Sequence, residues 1–443
     1  MIPQVMQIGE RMSLCLYPTE QFKAGTLSVS VVLPIERKSA YLTSLLWSVL
    51  LRGTEAYPTV SDINRRLDYL YGTELSVRNF YRGDCHIVGL SANLLGDSFL
   101  QAGEEKTLPR DVLAVMEQIL FHPVLDKNGL LDETYVESEK KLQCETVRAQ
   151  KNQPHAYAGD RLRALMYENE PAGVAIYGCE EEVMAVTPRM LTAHWREMLS
   201  RLQLSFFAVG GMDGTRLREA IWEIFGASMK AACEPPLSVT PCTSQTVKRE
   251  LRRVEEGLPI GQGHLMIGLR TDCTVRDDGF FACTVFNEML GLSPVSRLFL
   301  NVREKLSLCY SCSSRYNAYK GAIQISCALE NGNRERAEEE IFRQIEALAA
   351  GNFDEEELAA AKRSLCNAYR QLEDSATAIE NYYFGRALAG VSLSPHECRE
   401  RLLRVTREDV MAAAAACRTD TVFFLRADAP QCDGGEECAD EDQ

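Results

Sequence analysis

Residues Lys230–Thr246, KAACEPPLSVTPCTSQT, form the sharpest change of composition in a chain of 443 residues. Three prolines and several Ser and Thr residues are typical of an inter-domain linker, because proline interrupts regular structure and small polar residues favour extended chain. We therefore predict a first domain over residues 1–229, a linker over residues 230–246, and a second domain of similar size over residues 247–427.

The two halves on either side of this linker repeat one order of elements. Each begins with an alternating apolar stretch typical of a half-buried strand, Leu27–Leu33 in the first and His264–Arg270 in the second. Each continues with a helical segment, a strand pair and long charged helices. Each closes with a helix and a strand, the helix starting at Thr187 or Thr406, residues that favour an N-cap. The expected fold class is α+β, with two homologous domains that each hold an antiparallel sheet with helices packed on one face. The alternative is two unrelated α+β domains that match by coincidence.

The composition and charge exclude several classes of partner. Hydrophobic residues make up 46% and charged residues 25% of the chain, as in ordinary globular proteins. The formal net charge of −15 argues against nucleic acid or an anionic membrane surface as the main partner. The start lacks the pattern of a signal peptide and no apolar run is long enough to span a bilayer, so we predict a cytoplasmic location. Residues 428–443 are rich in acidic residues and predict a disordered tail, with a specific acidic binding tail as the alternative.

The histidines and cysteines form no local metal-binding motif. None of the six histidines lies within ten positions of another, so no helix presents an i, i+4 pair. Cys309 and Cys312 have C-x-x-C spacing, but a metal knuckle needs a second pair at a suitable distance, and the sequence lacks one. We interpret them as ordinary strand residues, with a structural or redox role as the alternative. Without an export signal, the sixteen cysteines are expected to be reduced.

Residues 44–54, SLLWSVLLRGT, resemble the zinc helix of the insulinase or pitrilysin-type zinc peptidases, the family that includes the mitochondrial processing peptidase. With the repeated halves and the linker, the resemblance covers nearly the whole chain. The family's helix carries H-x-x-E-H and then a Gly-Thr pair. The resemblance puts Ser44 and Ser48 at the two histidine positions and Trp47 at the position of the general-base glutamate. It puts Thr146 at the third ligand, seven positions after Glu139.

These vacated positions predict that the chain itself holds no zinc. Serine hydroxyls do not replace two imidazoles on Zn²⁺, and an indole cannot deprotonate a metal-bound water. An amphipathic core helix without any metal-binding ancestry would predict the same absence. We expect the isolated chain to be inactive and to use no cofactor of its own.

Residues 291–311, GLSPVSRLFLNVREKLSLCYS, are similar to the signature of the family's second half. That signature has a small-residue turn, Ser-Arg-Leu-Phe, and then an Arg and a Tyr seven positions apart, matched here by Arg303 and Tyr310. In the active peptidases this pair lies across the cavity from zinc and contacts the substrate peptide. A guanidinium can bind a backbone carbonyl, and a phenol can donate to a developing oxyanion. The alternative is that Arg303 pairs at a helix end and Tyr310 packs in a strand.

The loss of the zinc residues beside a retained Arg/Tyr pair is similar to the zinc-less chains of bacterial two-chain members. The resemblance implies a non-catalytic subunit that acts with a homologous zinc-bearing subunit on unfolded peptides, with zinc in the partner and Arg303 and Tyr310 supplied in trans. Two alternatives remain, a scaffold or peptide-binding module without cleavage and an independent hydrolase with another metal site. A bacterial subgroup named for an association with elongation factor P modification shares the local phrases Tyr69-Leu-Tyr71-Gly72, Phe121-His-Pro123 and Glu137-Ser-Glu139-Lys140.

Overall fold

The computed structural model describes residues 2–100, 107–243 and 250–428. The end of the predicted linker, residues 244–246, and nearly all of the predicted acidic tail, residues 429–443, therefore lie outside the described residues. The described chain folds around a six-stranded and a five-stranded sheet.

The first half builds the six-stranded sheet and packs most of its helices around it. Its strands are β1 (Gln4–Ile8), β2 (Met12–Pro18), β3 (Ala24–Pro34), β4 (Glu74–Arg82), β5 (Cys85–Leu95) and β6 (Leu204–Gly210). Its helices are α1 (Ala40–Leu50), α2 (Val60–Tyr69), α3 (Leu108–Phe121), α4 (Glu133–Ala149), α5 (Pro154–Met166), α6 (Glu180–Met184), α7 (Pro188–Ser200) and α8 (Gly214–Phe225).

The second half builds the five-stranded sheet. Its strands are β7 (Arg252–Leu258), β8 (Gly263–Arg270), β9 (Ser311–Asn317), β10 (Ala322–Leu329) and β11 (Arg418–Ala427). Its helices are α9 (Phe280–Asn287), α10 (Arg334–Ala349), α11 (Glu355–Gln371), α12 (Ala376–Leu388), α13 (Pro395–Arg404) and α14 (Arg407–Ala416), with further helical segments at Glu288–Leu292 and Leu298–Lys305.

Both sheets have the same topology. The strand orders are β1-β2-β6-β3-β5-β4 and β7-β11-β8-β10-β9, which match strand for strand once β1 is left out. This confirms the α+β fold class with two related halves. Each sheet also contains one parallel pair, β2 with β6 and β7 with β11, where only antiparallel pairs were expected. The last strand of each half inserts between two strands that run in opposite directions, so it must be parallel to one of them.

Helices cover both faces of each sheet, where the sequence predicted helices on one face. The second face is covered by a helix from the opposite half. Leu162 of α5 packs on Met266 and Phe423 of the second sheet, and Tyr383 of α12 packs on Phe207 of the first. The extra layer is needed because every residue of β8 is buried, so that both faces of the strand are apolar and must be covered.

One strand begins later than its sequence pattern indicates. The predicted strand from Leu308 is preceded by the helical segment Leu298–Lys305 and by Ser307, whose φ of 50° lies in the left-handed region. Regular pairing of β9 therefore starts at Ser311. Among the described residues, no helix is both long and apolar enough to cross a membrane.

Candidate functional site

The two serines at the vacated histidine positions bond within the protein. The Oγ of Ser44, a buried residue of α1, donates to the carbonyl oxygen of Ile176 at 2.8 Å and accepts from Nδ2 of Asn79 at 3.1 Å. The Oγ of Ser48 donates to the carbonyl oxygen of Ser44 at 3.4 Å. Both hydroxyls are thus satisfied as in an ordinary buried helix.

The other two vacated positions have opposite environments. Trp47 is 1% exposed and belongs to the main core of the first half. Thr146 is exposed on α4, and its hydroxyl donates to the carbonyl oxygen of Leu142 at 2.9 Å. Within the part of the chain that is described, the side chains around α1 form no group of three metal-ligating residues. Trp47, which the resemblance puts at the general-base position, is thus part of the core.

A cavity of about 310 Å³ remains beside α1. Its wall includes Ser48, the ion-paired Arg52 and Glu139, and two residues of the outer strand β4, Leu75 and Val77. The carboxylate of Glu139 accepts from Nε of Arg52, so its charge is neutralised by a neighbouring cation. The cavity forms a groove next to a sheet edge, and its lining holds no histidine or cysteine and one carboxylate, that of the ion-paired Glu139.

Two histidines, the buried His86 and the half-buried His194, lie close to α1. Nε2 of His86 lies 2.6 Å from Oδ1 of Asn79, and Nε2 of His194 lies 2.9 Å from Oγ1 of Thr43. Burial, with a smaller contribution from His194, lowers the pKa of His86 to about 3, and burial also lowers the pKa of His194. Both rings are neutral at pH 7. The sequence analysis missed this cluster because β5 and α7, which carry the rings, are distant in the chain.

Arg303 and Tyr310 line one cavity of about 400 Å³ together with Cys309 and Glu330. The side chain of Arg303 is 42% exposed, and its guanidinium carbon lies 4.7 Å from the ring centre of Phe299. Tyr310 is 56% exposed, rather than packed in a strand. Both functional groups therefore reach a solvent-accessible space.

Among the described residues, the phenol of Tyr310 has Glu330 as its hydrogen-bond acceptor. Its hydroxyl donates to Oε1 of Glu330 at 3.1 Å. This hydrogen bond and the negative charge of Glu330 raise the pKa of Tyr310. The phenol therefore keeps its proton at neutral pH and can serve as a hydrogen-bond donor.

The two cavities belong to different halves of the chain. The cavity with Arg303 and Tyr310 is lined by residues 303–333, and the cavity with Ser48 is lined by residues 48–139. They share no lining residue, so the Arg/Tyr pair does not border the cavity beside the vacated zinc helix.

A three-cysteine cluster adjoins the Arg303 and Tyr310 cavity. The pairing of β9 with β10 places Cys327 directly opposite Cys312, and Cys309 precedes β9. The three sulfur atoms lie within 4.8 Å of one another. The C-x-x-C spacing pointed to two of these residues, but the third depends on strand register and could not be found by counting positions.

Comparison with known proteins relates the sequence of this chain to one peptidase family. Residues 185–365 match the family described as the peptidase M16 inactive domain. The chain is 28% identical to the probable inactive metalloprotease YmfF of Bacillus subtilis over 408 residues, which cover 92% of this chain and 94% of that protein. It is 22% identical to the uncharacterized zinc protease YmxG of Bacillus subtilis over 255 residues, 57% of this chain and 59% of that protein.

Solved structures share the fold over the full length. A conserved protein from Enterococcus faecalis V583 superposes with a TM-score of 0.88 at 22% identity, covering 97% of this chain and 100% of that chain. A peptidase M16 inactive domain from Pseudomonas fluorescens superposes with a TM-score of 0.75 at 17% identity, covering 97% and 99%. The inactive-domain match, the full-length relative and the serines in place of zinc ligands lead to one conclusion. The chain is similar to inactive members of the insulinase-type (M16) peptidases, through the inactive-domain match over residues 185–365 and the full-length relative described as a probable inactive metalloprotease.

Proposed function

We propose that this chain is the non-catalytic subunit of a heterodimeric zinc metallopeptidase, which binds peptide substrate and supplies Arg303 and Tyr310 in trans to a zinc-bearing partner. The observation that carries the proposal is the shared, solvent-accessible cavity of these two side chains, in a chain whose first half has Ser44, Ser48 and Thr146 at the positions that the resemblance gives to the zinc ligands. The chain alone would not cleave peptides.

The chemistry of the pair fits this role. The guanidinium of Arg303 offers several N–H donors in a fixed plane, which suits a peptide carbonyl. The phenol of Tyr310 keeps its proton, so it can donate to the oxyanion that forms when a zinc-bound water attacks that carbonyl. Neither Arg303 nor Tyr310 has to displace a metal ligand of its own chain in order to contact the substrate.

Sheet edges give the peptide a place to bind. In the described residues, β9 is one of the two outer strands of the second sheet and begins directly after Tyr310. The outer strand of the first sheet, β4, contributes Leu75 and Val77 to the cavity beside α1. Outer strands present backbone N–H and C=O groups to which an extended peptide can add as a further strand.

Exposed apolar side chains mark the segment around Arg303 as a surface for the partner chain. Leu292, Val295, Leu300 and Leu306 are 40–64% exposed and all lie within residues 291–310. Exposed apolar residues that cluster on one segment are typical of protein interfaces. A zinc-bearing homologue that covers this segment would bring its metal towards Arg303.

The test is a reconstituted cleavage assay with the purified chain and its zinc-bearing homologue. We expect Arg303→Ala and Tyr310→Phe each to remove on the order of 3 kcal/mol of transition-state stabilisation, seen as a fall in kcat with unchanged subunit association. Arg216→Ala and Tyr69→Phe are the controls, because both residues are exposed and lie outside the cavity.

Three results would speak against the proposal. Full activity of both cavity variants would remove the role of the pair in trans. Equal cleavage by the homologue with and without this chain would instead support a scaffold or peptide-binding module. Zinc bound stoichiometrically near Ser44, with cleavage by the isolated chain, would indicate an independent hydrolase.

A further inference from the structure

We propose that Cys309, Cys312 and Cys327 form a binding site for a thiophilic metal ion of the Zn²⁺ class, at the wall of the Arg303 and Tyr310 cavity. The site is separate from the vacated zinc helix. It does not depend on the proposed peptidase role.

The sulfur geometry suits such an ion. Each pair of sulfur atoms lies within 4.8 Å. In a tetrahedral site with Zn–S bonds of about 2.3 Å, sulfur atoms lie about 3.8 Å apart, so each pair needs to close by at most about 1 Å. Among the described residues, these are the three Cys, His or carboxylate side chains whose ligand atoms lie close enough together to share one metal ion.

The supporting elements are rigid. Cys312 and Cys327 are opposite residues of two hydrogen-bonded strands, and both are buried. Cys309 is held nearby because the backbone N–H of Tyr310 donates to the carbonyl oxygen of Ala328 at 2.8 Å. Ligands on paired strands keep their separation better than ligands on loops.

A cation next to the cluster would balance the charge of the loaded site. Arg303 lines the same cavity as Cys309. Binding a divalent cation to three thiols ionises them, so up to three protons leave, and the three thiolates with the ion carry a net charge of −1 close to the Arg303 guanidinium.

The cavity gives the ion an entry path and a fourth ligand. Cys309 borders the 400 Å³ cavity, whose wall also includes the carboxylate of Glu330. A cavity water or this carboxylate would complete the tetrahedron. Buried cysteines often pack as small apolar side chains. Three sulfur atoms that converge at a cavity wall have the arrangement of ligands.

The experiment is a titration of the reduced, metal-free chain with Co²⁺, followed by Zn²⁺ as competitor. We expect one equivalent of Co²⁺ to give a thiolate-to-cobalt charge-transfer band that Zn²⁺ removes. Because even an outer-shell change commonly weakens metal binding about tenfold, loss of a ligand in Cys309→Ser should weaken it by at least that factor. Cys144→Ser, a buried cysteine of α4, is the matched control and should keep the band.

A second measurement does not depend on the folding of any variant. Addition of Zn²⁺ to the unchanged chain near neutral pH should release protons, up to three per bound ion, because each thiol that binds the metal must ionise. The proposal is overturned if the reduced chain shows no saturable band, or if Cys309→Ser binds Co²⁺ as tightly as the unchanged chain. Formation of a Cys312–Cys327 disulfide with no metal uptake after reduction would assign the cluster to redox chemistry instead.

Discussion

The ammonium nitrogen of Lys320 lies 2.9 Å from each carboxylate oxygen of Asp84, and the side chain of Lys320 is 1% exposed. The two residues occupy equivalent places, since Asp84 is in the turn between β4 and β5 and Lys320 is in the turn between β9 and β10. The repeated halves therefore meet through their corresponding hairpin turns. Thr243 of the predicted linker accepts from Lys320 at 2.7 Å and bonds Asp84 as well, so the linker closes over this contact.

Removing the cation of this contact should destabilise the whole chain. In Lys320→Met, the buried carboxylates of Asp84 and Glu170 lose the cation that both of them contact, and the expected loss in free energy of unfolding is about 3–5 kcal/mol. Denaturant unfolding measures this loss. Arg65→Met is the control, because Arg65 pairs with Asp62 at the surface with a side chain 78% exposed, and should cost less than about 1 kcal/mol. Equal stability of the two variants would show that the turn contact does not hold the halves.

Local sequence signals located the elements of this fold well. The predicted helices at Glu133–Ala149 and Arg334–Ala349 have the bounds that the structure gives, because amphipathic spacing and charged faces are local properties. Thr406 forms the expected capping box with Asp409. In contrast, the sequence analysis did not predict the first two strands, β1 and β2. β2 becomes a strand by pairing with β6, which is distant in the chain, and β1 becomes one by pairing with β2.

The candidate sites show the same limit. The family pattern drew attention to Arg303 and Tyr310, but the role of Glu330 as acceptor follows from strand pairing twenty residues later. Cys327 and Lys320 likewise depend on which strand and turn they face. Such partners are set by tertiary contacts between positions that no local motif links, so a single sequence does not reveal them.

Trp47 should contribute to the stability of the fold as a core residue. Its side chain is 1% exposed, so Trp47→Ala would leave a large cavity and is expected to cost about 3–5 kcal/mol in free energy of unfolding. Trp222→Ala removes the same side chain from a position that is 56% exposed, and should cost less than about 1 kcal/mol. Thermal or urea unfolding compares the two variants. If Trp47→Ala lowered the free energy of unfolding only slightly, that result would contradict the burial of the Trp47 side chain.

His86 should make the stability fall as the solution is acidified. Its pKa is about 3 in the folded chain and near the ordinary 6.5 when unfolded, so below pH 6.5 the unfolded chain takes up the proton first. Stability contributed by His86 is present above pH 6.5 and is lost towards pH 3, with a loss of about 2 kcal/mol at pH 5. Unfolding free energies at pH 7 and pH 5 measure it.

His86→Gln isolates this effect, because an amide can still donate to Asn79 but does not titrate. We expect the drop between pH 7 and pH 5 to be smaller in His86→Gln than in the unchanged chain by about 2 kcal/mol. Part of the drop should persist, since burial also lowers the pKa of His194. If the unfolding free energies of both proteins fall by the same amount between pH 7 and pH 5, His86 takes up its proton as readily in the folded chain as in the unfolded chain.

Glu330 should control the acidity of Tyr310. Its carboxylate accepts from the phenol and places a negative charge beside it, so Glu330→Gln should lower the pKa of Tyr310 towards its ordinary value. The ultraviolet phenolate absorbance of each protein, minus that of its Tyr310→Phe counterpart, isolates this one tyrosine. Glu304→Gln is the matched control, because Glu304 lines the same cavity but pairs with Arg303. Equal Tyr310 titrations in the two glutamate variants would mean that the hydrogen bond to Glu330 does not persist in solution. The phenol would then meet a substrate carbonyl without first having to leave an acceptor of its own chain.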